Sequence, residues 1–145
     1  MLHQFQDVFK SLNAHDVKYV VIGGLAAILY GVPRVTFDLD ILIEATPANA
    51  KRLLDAFEEA GLGSASLTTA EQLLAHEITI FRDRVRIDVQ TKTPGLAFET
   101  AWRNHIAVPY QGQEILVVSK QDLIAAKCGA GREVDLEDVR LLEEH

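Results

Sequence analysis

The sequence predicts an α/β (α+β) fold in which a small mixed β-sheet is flanked by helices. Three observations lead to this prediction. Short β-branched runs recur along the chain, segments with helical spacing of apolar residues lie between them, and Gly, Pro or Thr stand at the boundaries. The chain has 145 residues, 48% of them hydrophobic and 24% charged. This length and composition predict one compact domain over residues 1–145.

Helices and strands alternate in the first part of the chain. Residues 2–13 place apolar side chains three and four positions apart, which predicts a first helix. The run "KYVVIGG" predicts a buried strand that leads into a turn, and "LAAILYG" predicts a short helix that ends at Gly31 and is blocked by Pro33. The run "RVTFDLDILIE", residues 34–44, is the next predicted strand.

Two helices with capping residues are predicted after this strand. Thr46 and Pro47 suit a helix start, because the hydroxyl caps the helix and proline is tolerated at its first position, and Gly61 ends the helix. The run "TTAEQLLAH" predicts another short helix, in which Thr68 and Glu71 have the spacing of a capping box.

The second half of the chain supplies the remaining elements. The runs "EITIF" and "VRIDVQT" predict a strand pair joined by the tight turn "RDR", and "PGLAFETAWR" predicts a helix. The run "AVPYQGQEILVVS" predicts an extended segment, a turn at Gly112 and a further strand. The capping-box spacings in "SKQD" and "DLED" predict where the last two helices begin, before "LIAAKCGAG" and "VRLLEEH".

Composition and charge narrow the class of protein. No run of about 18 apolar residues is present and the first residues are amphipathic, so we expect a cytoplasmic protein without a membrane span. The single cysteine, Cys128, offers no internal disulfide, and the five histidines lack metal-ligand spacing. The formal charge of -7 argues against non-specific coating of nucleic acid, but it leaves room for a local basic patch that binds phosphates.

Two acids, Asp38 and Asp40, lie within a strand that is otherwise apolar. Alternate side chains of a strand share a face, so the two acids project together while Phe37, Leu39 and Ile41 face the other side. Two like charges in a partly desolvated place repel, and such a pair persists only where cations, donors or water compensate. A divalent metal is one compensator, and a solvated strand face is the ordinary alternative for an Asp-x-Asp pair.

A third acid and a pair of glycines extend this pattern. Asp88 stands between Ile87 and Val89, where an acid has no packing reason to be. Three carboxylates on neighbouring strands would form an oxygen-rich site for Mg²⁺ and phosphates, as in-line phosphoryl transfer requires. Gly23 and Gly24 end a strand before a helix, where backbone amides can approach phosphates, although paired glycines also form simple tight turns.

Other phosphate-binding and metal-binding motifs are missing from the sequence. There is no G-x-x-x-x-G-K-[ST] loop and no G-x-G-x-x-G fingerprint, which argues against ordinary nucleotide-hydrolase and dinucleotide-binding folds. The Asp-x-Asp pair also lacks the Gly and the distal Glu of a calcium-binding loop. The prediction therefore depends on the combination of glycines and acids.

The glycines and acids together resemble a known pattern. A hydrophobic residue, Gly and a small residue precede Asp-x-Asp on a strand, and a third acid follows on a later strand. In these features "VIGGLAAILYGVPRVTFDLDILIE" and "RIDVQ" resemble the nucleotidyltransferase (polymerase-beta-like) superfamily. The run G-x-x-R-x-T-x-D-x-D and the tail "VVSKQDLIAAKCGAGREVDLEDVRLL" look like its small bacterial branch of abortive-infection and toxin–antitoxin type proteins. The resemblance covers Val20 to Leu142.

The resemblance implies a nucleotidyltransferase-like fold and a role for each site residue. Asp38 and Asp40 would bind metal ions, Asp88 would complete the metal site and act as base for the acceptor hydroxyl, and Gly23 and Gly24 would cradle the triphosphate. One departure concerns the second glycine, since many superfamily members carry Ser after the first Gly. Gly24 offers only its backbone amide, so phosphate affinity would be weaker or differently arranged.

Arg34, Thr36 and Lys127 are further candidates for nucleotide binding. Arg34 and Thr36 lie shortly before the acids, where each would reach a phosphate or a base, and the resemblance suggests a phosphate contact for Lys127. A surface ion pair is the alternative for Arg34, and pairing with Asp135 or Asp138 is the alternative for Lys127.

Three more arginines are candidates for phosphate contacts. The resemblance suggests such a contact for Arg132, for which pairing with a nearby acid is again the alternative. The run "FRDRVR" predicts Arg84 and Arg86 on the face of Asp88, where they would flank an RNA or nucleotide phosphate. Solvated charges on an edge strand are the alternative explanation.

The predicted function is Mg²⁺-dependent transfer of a nucleoside monophosphate from a nucleoside triphosphate to a hydroxyl acceptor, which is left open between RNA or tRNA, a protein side chain and a small molecule. The resemblance adds that the protein would be the toxin of a toxin–antitoxin pair, with a cognate antitoxin as partner. The rival prediction is a catalytically inactive member that keeps the fold and binds a nucleotide or a partner protein. The intact acids favour the enzyme, whereas the missing Ser favours the rival.

Overall fold

A computed structural model describes residues 2–144 of the chain. Its α-helices are α1 (Gln6–Ala14), α2 (Gly23–Leu29), α3 (Pro47–Glu59), α4 (Ala70–Ala75), α5 (Phe98–Asn104), α6 (Lys120–Ala130) and α7 (Glu133–Glu144). Its strands are β1 (Tyr19–Ile22), β2 (Asp38–Ile43), β3 (Ile78–Arg82), β4 (Arg86–Gln90), β5 (Ile106–Tyr110) and β6 (Gln113–Val117). Short 3₁₀ helices cover Leu2–Phe5 and Gly63–Leu67.

The strands of residues 2–144 form one mixed sheet in the order β3-β4-β2-β1-β6-β5. Parallel pairing joins β2 to β4 and β1 to β6, and the other neighbouring strands are antiparallel. Parallel neighbours need a crossover connection, and helices supply it here. The predicted α/β fold with a small mixed sheet and flanking helices is confirmed.

One face of the sheet is packed against helices α1 and α3. Leu39 and Ile41 of β2 and Ile87 of β4 are fully buried on this face. Phe81 of β3 meets Phe57 of α3 edge to face, with ring centroids 5.0 Å apart. Apolar alternation in β2 and β4 thus buries one side of each strand and leaves the other side for the acids.

The opposite face of the sheet meets a second group of helices. Helix α2 packs against β1 and β2 and contacts α6, which in turn packs against α7. This group lies on the side of β2 from which the acids project, because the first residue of α2 approaches the Asp40 side chain. The two terminal helices are thereby brought to the acidic face.

Strand β2 begins later than the sequence predicts. The prediction places a strand over residues 34–44, but the pairing starts at Asp38, which lies opposite Arg86 of β4. The registers that join β2 to β1 and to β4 include no residue before Asp38. Val35 and Phe37 are 67% and 66% exposed, so apolar character alone was not enough to place them in the sheet.

Two predicted helix starts are wrong by one or two residues. Helix α2 begins directly at Gly23, because the positive φ of this glycine, 70°, turns the chain out of β1 without a linker. The capping box of α4 joins Thr69 and Gln72, not Thr68 and Glu71. The Gln72 amide oxygen accepts from the Thr69 backbone N–H as a carboxylate would.

The last predicted helix start is also wrong. Helix α7 begins at Glu133, so "DLED" lies inside the helix. Gly131 adopts the left-handed conformation, with φ 68°, and ends α6 just before α7 begins. Asp135 therefore sits in the first turn of α7 and accepts from the backbone N–H of Arg132.

The predicted starts of α3 and α6 are confirmed, whereas the helix predicted over "PGLAFETAWR" begins only at Phe98. The Thr46 hydroxyl accepts from the backbone N–H of Asn49, with Pro47 at the first helical position, and Ser119 caps α6 in the same way through Asp122 N–H. Between residues 2 and 144, no helix combines the length and apolar character needed to cross a bilayer.

Candidate active site

The register of the sheet brings two of the predicted site acids side by side. Asp40 of β2 lies directly opposite Asp88 of β4 in the parallel pair, and Asp40 also pairs with Ile22 at the end of β1. Asp38 lies opposite Arg86, two residues earlier along the same two strands. Side chains two apart on a strand share a face, so Asp38, Asp40 and Asp88 project to one side of the sheet.

The carboxyl group of Asp40 has a raised pKa. Burial raises its pKa to about 7, and the raising effect is increased by the charge of Asp88, by a hydrogen bond shared with Asp88 and by the charge of Asp38. The charge of Lys127 acts in the opposite direction. Like charges held together in a partly desolvated place favour a shared proton or a bound cation.

Arg86 is the cation in direct contact with the acids. Its Nε lies 3.0 Å from Asp88 Oδ1, and its Nη2 lies 3.3 Å from Asp88 Oδ2. The same Nε is 3.8 Å from Asp38 Oδ2. The hydrogen bond to Asp88 raises the pKa of the Arg86 guanidinium further. Arg86 therefore neutralises part of the charge of the acid cluster.

Gly23 allows the backbone to approach Asp40. A Cβ at this position would lie 2.4 Å from Asp40 Oδ2, and the φ of 70° is one that other residues rarely adopt. Gly24 is less constrained, because its Cβ would meet Arg34 Cζ at 3.4 Å and its φ is not positive. The two glycines thus differ, and only Gly23 is required for contact with the acid cluster.

A second group of charges lies between α2, α6 and α7. Asp138 accepts from Arg34 Nη1 at 2.6 Å and from Lys127 Nζ at 2.8 Å. Asp135 accepts from Arg132 Nε at 2.7 Å and lies 3.8 Å from Lys127 Nζ. Lys127, Asp135 and Asp138 are all buried. The predicted alternative of ion pairing thus describes how these cations are held in the structure.

A cavity of about 100 Å³ joins the two groups of charges. Asp40 and Gly23 line one side of it, and Lys127, Arg132 and Asp135 line another. The buried ammonium group of Lys127 is therefore presented to the same space as the acid with the raised pKa.

Two other predicted candidates lie outside the strands that carry the acids. Thr36 precedes β2, and its hydroxyl accepts from the backbone N–H of Asp38 at 3.4 Å. The placement of Arg84 on the face of Asp88 is wrong, since Arg84 lies in the turn before β4. Its Nη2 donates to the carbonyl of Ala60 at 2.9 Å. A turn does not continue the alternation of the strand that follows it.

Two polar side chains of the cavity were missed by sequence reasoning. Gln90 and Thr93 both line the cavity beside Asp40. Gln90 stands two positions after Asp88 on the same strand, and this spacing was a usable signal. Thr93 follows the strand, and no local pattern marks it.

The chemistry of the acid cluster fits a hard divalent cation. Its donors are carboxylate oxygens, which Mg²⁺ prefers, and their mutual repulsion favours a bound cation. Across the part of the chain that the structure describes, residues 2–144, no group of three or more His, Cys, Asp or Glu side chains is arranged to hold a metal ion as it stands. Asp38, Asp40 and Asp88 would have to reorient to share one ion.

The sheet order, the glycine bend and the row of acids define a nucleotidyltransferase-like protein. The family model described as "Nucleotidyltransferase of unknown function (DUF6036)" matches residues 2–143. The chain belongs to this family. The predicted superfamily is therefore confirmed, while the abortive-infection branch stays a prediction.

Several solved structures share this fold. A proposed nucleotidyltransferase from Thermotoga maritima has 20% identity and a TM-score of 0.62, covering 99% of this chain and 93% of that one. The lincosamide antibiotic adenylyltransferase LnuA, solved with lincomycin bound, has 13% identity and a TM-score of 0.61, covering 99% and 96%.

A third structure has a lower TM-score. An antigenic nucleotidyltransferase-like protein from Paracoccidioides brasiliensis has 18% identity and a TM-score of 0.56, covering 92% of this chain and 71% of that one. A comparison with curated proteins finds no match. At these identities the structural likeness shows the fold alone.

Proposed function

We propose that this protein transfers a nucleoside monophosphate from a nucleoside triphosphate to a hydroxyl acceptor, with Mg²⁺ held by Asp38, Asp40 and Asp88. The observation that carries the proposal is the lateral pairing of Asp40 with Asp88 beside Gly23. It gathers carboxylates on one face of two strands, next to a backbone bend that only glycine permits. Membership in a nucleotidyltransferase family supports this class of reaction independently of the geometry.

The reaction forms one bond and breaks another. The acceptor oxygen forms a bond to the α-phosphorus, the bond from that phosphorus to the bridging oxygen of the β-phosphate breaks, and pyrophosphate leaves. Asp88 takes the proton of the acceptor hydroxyl, a role assigned by resemblance and supported by its position in the row of acids. Bound Mg²⁺ would supply charge neutralisation for the phosphates and polarise the reacting oxygens.

The second group of charges is suited to the phosphates. Arg34, Lys127 and Arg132 carry three positive charges against the two negative charges of Asp135 and Asp138, so the group keeps one net positive charge. Its cavity opens beside Asp40 and Gly23. We assign nucleotide binding to Gly23 and Gly24.

Arg34, Thr36 and Lys127 are the side chains that we add to this nucleotide site. The acids that hold Arg34 and Lys127 keep these flexible side chains oriented before the ligand arrives. Thr36 is included because it lies just before Asp38 and its hydroxyl accepts from the backbone N–H of Asp38. These assignments go beyond family membership, which supports the class of reaction and says nothing of the contacts.

The acceptor defines the biological role. An RNA, a tRNA or a protein hydroxyl would make the protein the toxin of a toxin–antitoxin pair in the cytoplasm, with a cognate antitoxin as its partner. A small hydroxyl compound is a further acceptor class, because LnuA is an adenylyltransferase with lincomycin bound. A catalytically inactive, nucleotide-binding module is the second candidate function, and it is favoured by the ion pair between Arg86 and Asp88 and by Gly24 in the place of Ser.

The test is an incorporation assay with four radiolabelled nucleoside triphosphates. Purified protein is incubated with total RNA, a protein extract or a mixture of small hydroxyl compounds, in Mg²⁺ or in EDTA. We expect label from one nucleotide to appear in one acceptor class and pyrophosphate to be released, only in Mg²⁺. Nucleotide binding without metal dependence, and no labelled product in any mixture, would favour the inactive module instead.

A further inference from the structure

The guanidinium of Arg86 is hydrogen-bonded to carboxylate oxygens that would coordinate a metal ion. Its Nε and Nη2 bond to the two oxygens of Asp88 at 3.0 and 3.3 Å, which is a side-on bidentate pair. Its Nε also lies 3.8 Å from Asp38 Oδ2. Asp88 is the more enclosed partner, with a side chain 16% exposed against 38% for Arg86.

We propose that Arg86 is the resident counter-ion of the carboxylate cluster and that a divalent cation binds by displacing its guanidinium from Asp88. This inference rests on the proposed function, because it takes Asp38, Asp40 and Asp88 as the cation site. It adds that the affinity for the metal is set by competition with a side chain of the protein itself.

The cation and Arg86 compete for the same lone pairs on the two carboxylate oxygens of Asp88. A carboxylate oxygen that accepts a charge-assisted hydrogen bond has less electron density to offer a metal, and here both oxygens of Asp88 accept from Arg86. Within residues 2–144, no three His, Cys, Asp or Glu side chains are arranged to hold a metal ion. This is expected where the Arg86 guanidinium already contacts two of the acids.

Arg86 can leave the cluster at little cost in packing. Its side chain is more than a third exposed, and its stem emerges from β4 next to the edge strand β3. The phosphates of a nucleotide would offer the displaced guanidinium a new bidentate partner. Nucleotide should therefore raise metal affinity, and part of this coupling should pass through Arg86.

The test compares Mn²⁺ binding by the metal-free protein and its variants, followed by electron paramagnetic resonance. We expect Arg86→Met to lower the dissociation constant for Mn²⁺ on the order of tenfold, because Asp88 regains both oxygens. Nucleoside triphosphate should then enhance Mn²⁺ affinity less in Arg86→Met than in the wild type. Arg86→Lys keeps a positive charge without the side-on pair and should fall between the two.

Arg82→Met is the matched control. Arg82 lies opposite Arg86 in the β3–β4 register, so it carries the same charge on the same face of the sheet. It is exposed and makes no ion pair with another described residue of the range 2–144. Its removal should leave the Mn²⁺ dissociation constant within about twofold of the wild type, because unbonded surface charge is screened.

The outcomes separate this inference from the proposed function. Mn²⁺ binding that is lost in Asp40→Asn but unchanged or weaker in Arg86→Met would overturn the role of Arg86 and leave the cation site standing. Equal tightening in Arg82→Met and Arg86→Met would also overturn it, since general charge would then explain the effect. Absence of Mn²⁺ binding in every protein, or binding that survives Asp40→Asn, would contradict the proposed function itself.

Discussion

Replacing Asp40 by Asn is expected to slow nucleotidyl transfer on the order of 10³-fold or more while the protein stays folded. The amide keeps the shape of the side chain and can donate to Asp88, but it removes a negative charge from the centre of the acid row. The measurement is Mg²⁺-dependent incorporation of labelled nucleotide into the acceptor. Asp55→Asn is the control, because Asp55 is a surface acid of α3 paired with Lys51.

The free energy of unfolding of the metal-free Asp40→Asn protein shows whether its fold is intact. Burial and neighbouring acids raise the pKa of Asp40 from 3.8 to about 7, so the folded wild type binds this proton more tightly than the unfolded chain. The contribution of this proton to the free energy of unfolding is fully present below about pH 4. It is lost as the pH rises to about 7, and the loss amounts to roughly 4 kcal/mol.

Asn stays neutral at every pH, so the variant should gain stability relative to the wild type across this interval. Chemical denaturation at several pH values measures the difference. Full activity in Asp40→Asn would contradict the catalytic role of this acid. A variant that unfolds at neutral pH would contradict the origin proposed for the raised pKa.

Replacing Asp138 by Asn is expected to lower the free energy of unfolding by about 3 kcal/mol. The side chain of Asp138 is only 3% exposed and accepts from both Arg34 and Lys127. Without its charge, the buried ammonium of Lys127 loses its closest acid and keeps only Asp135, at 3.8 Å. Urea denaturation at neutral pH measures the loss.

A control and a double variant locate the cause of this loss. Glu137→Gln removes the neighbouring acid of α7, whose pair with Arg140 is exposed, and should cause no measurable change. Lys127→Met combined with Asp138→Asn should lose less stability than the sum of the single changes, because the two residues share one buried ion pair. Additive losses would show that the two side chains are not coupled.

Local pattern was enough to predict most of the fold. Proline and hydroxyl residues predicted the starts of α3 and α6, since caps depend on residues only three positions away. The start of β2 was beyond this reasoning, because it depends on where β1 and β4 run beside it. Phe37 belongs to an apolar run and yet is exposed, since no strand lies next to it.

The candidate site was predictable where an acid stood in an apolar strand. This mismatch marked Asp38, Asp40 and Asp88 as candidates before any pairing of strands was known, and the two glycines and the family resemblance gave them a role. The direct pairing of Asp40 with Asp88 was not predictable, because the register of two parallel strands is set by nonlocal packing.

The same limit applies to the charges of the last two helices. The burial of Asp138 arises from the packing of α6 on α7, and a charged residue near the end of a chain is usually solvated. Arg86 illustrates the converse case. The alternation of β4 correctly predicted the face of the sheet on which Arg86 lies. Its contact with two acids depends on the neighbouring strand β2.

The central claim is that the row of acids beside Gly23 holds the cation of a nucleotidyl-transfer reaction. Anomalous diffraction from a crystal soaked with Mn²⁺ and a non-hydrolysable nucleoside triphosphate analogue tests this claim most directly. We predict a peak within coordination distance, about 2.1 Å, of oxygens of Asp40 and Asp88, with the phosphates next to Gly23. A nucleotide bound elsewhere, or a peak that touches neither acid, would contradict the account.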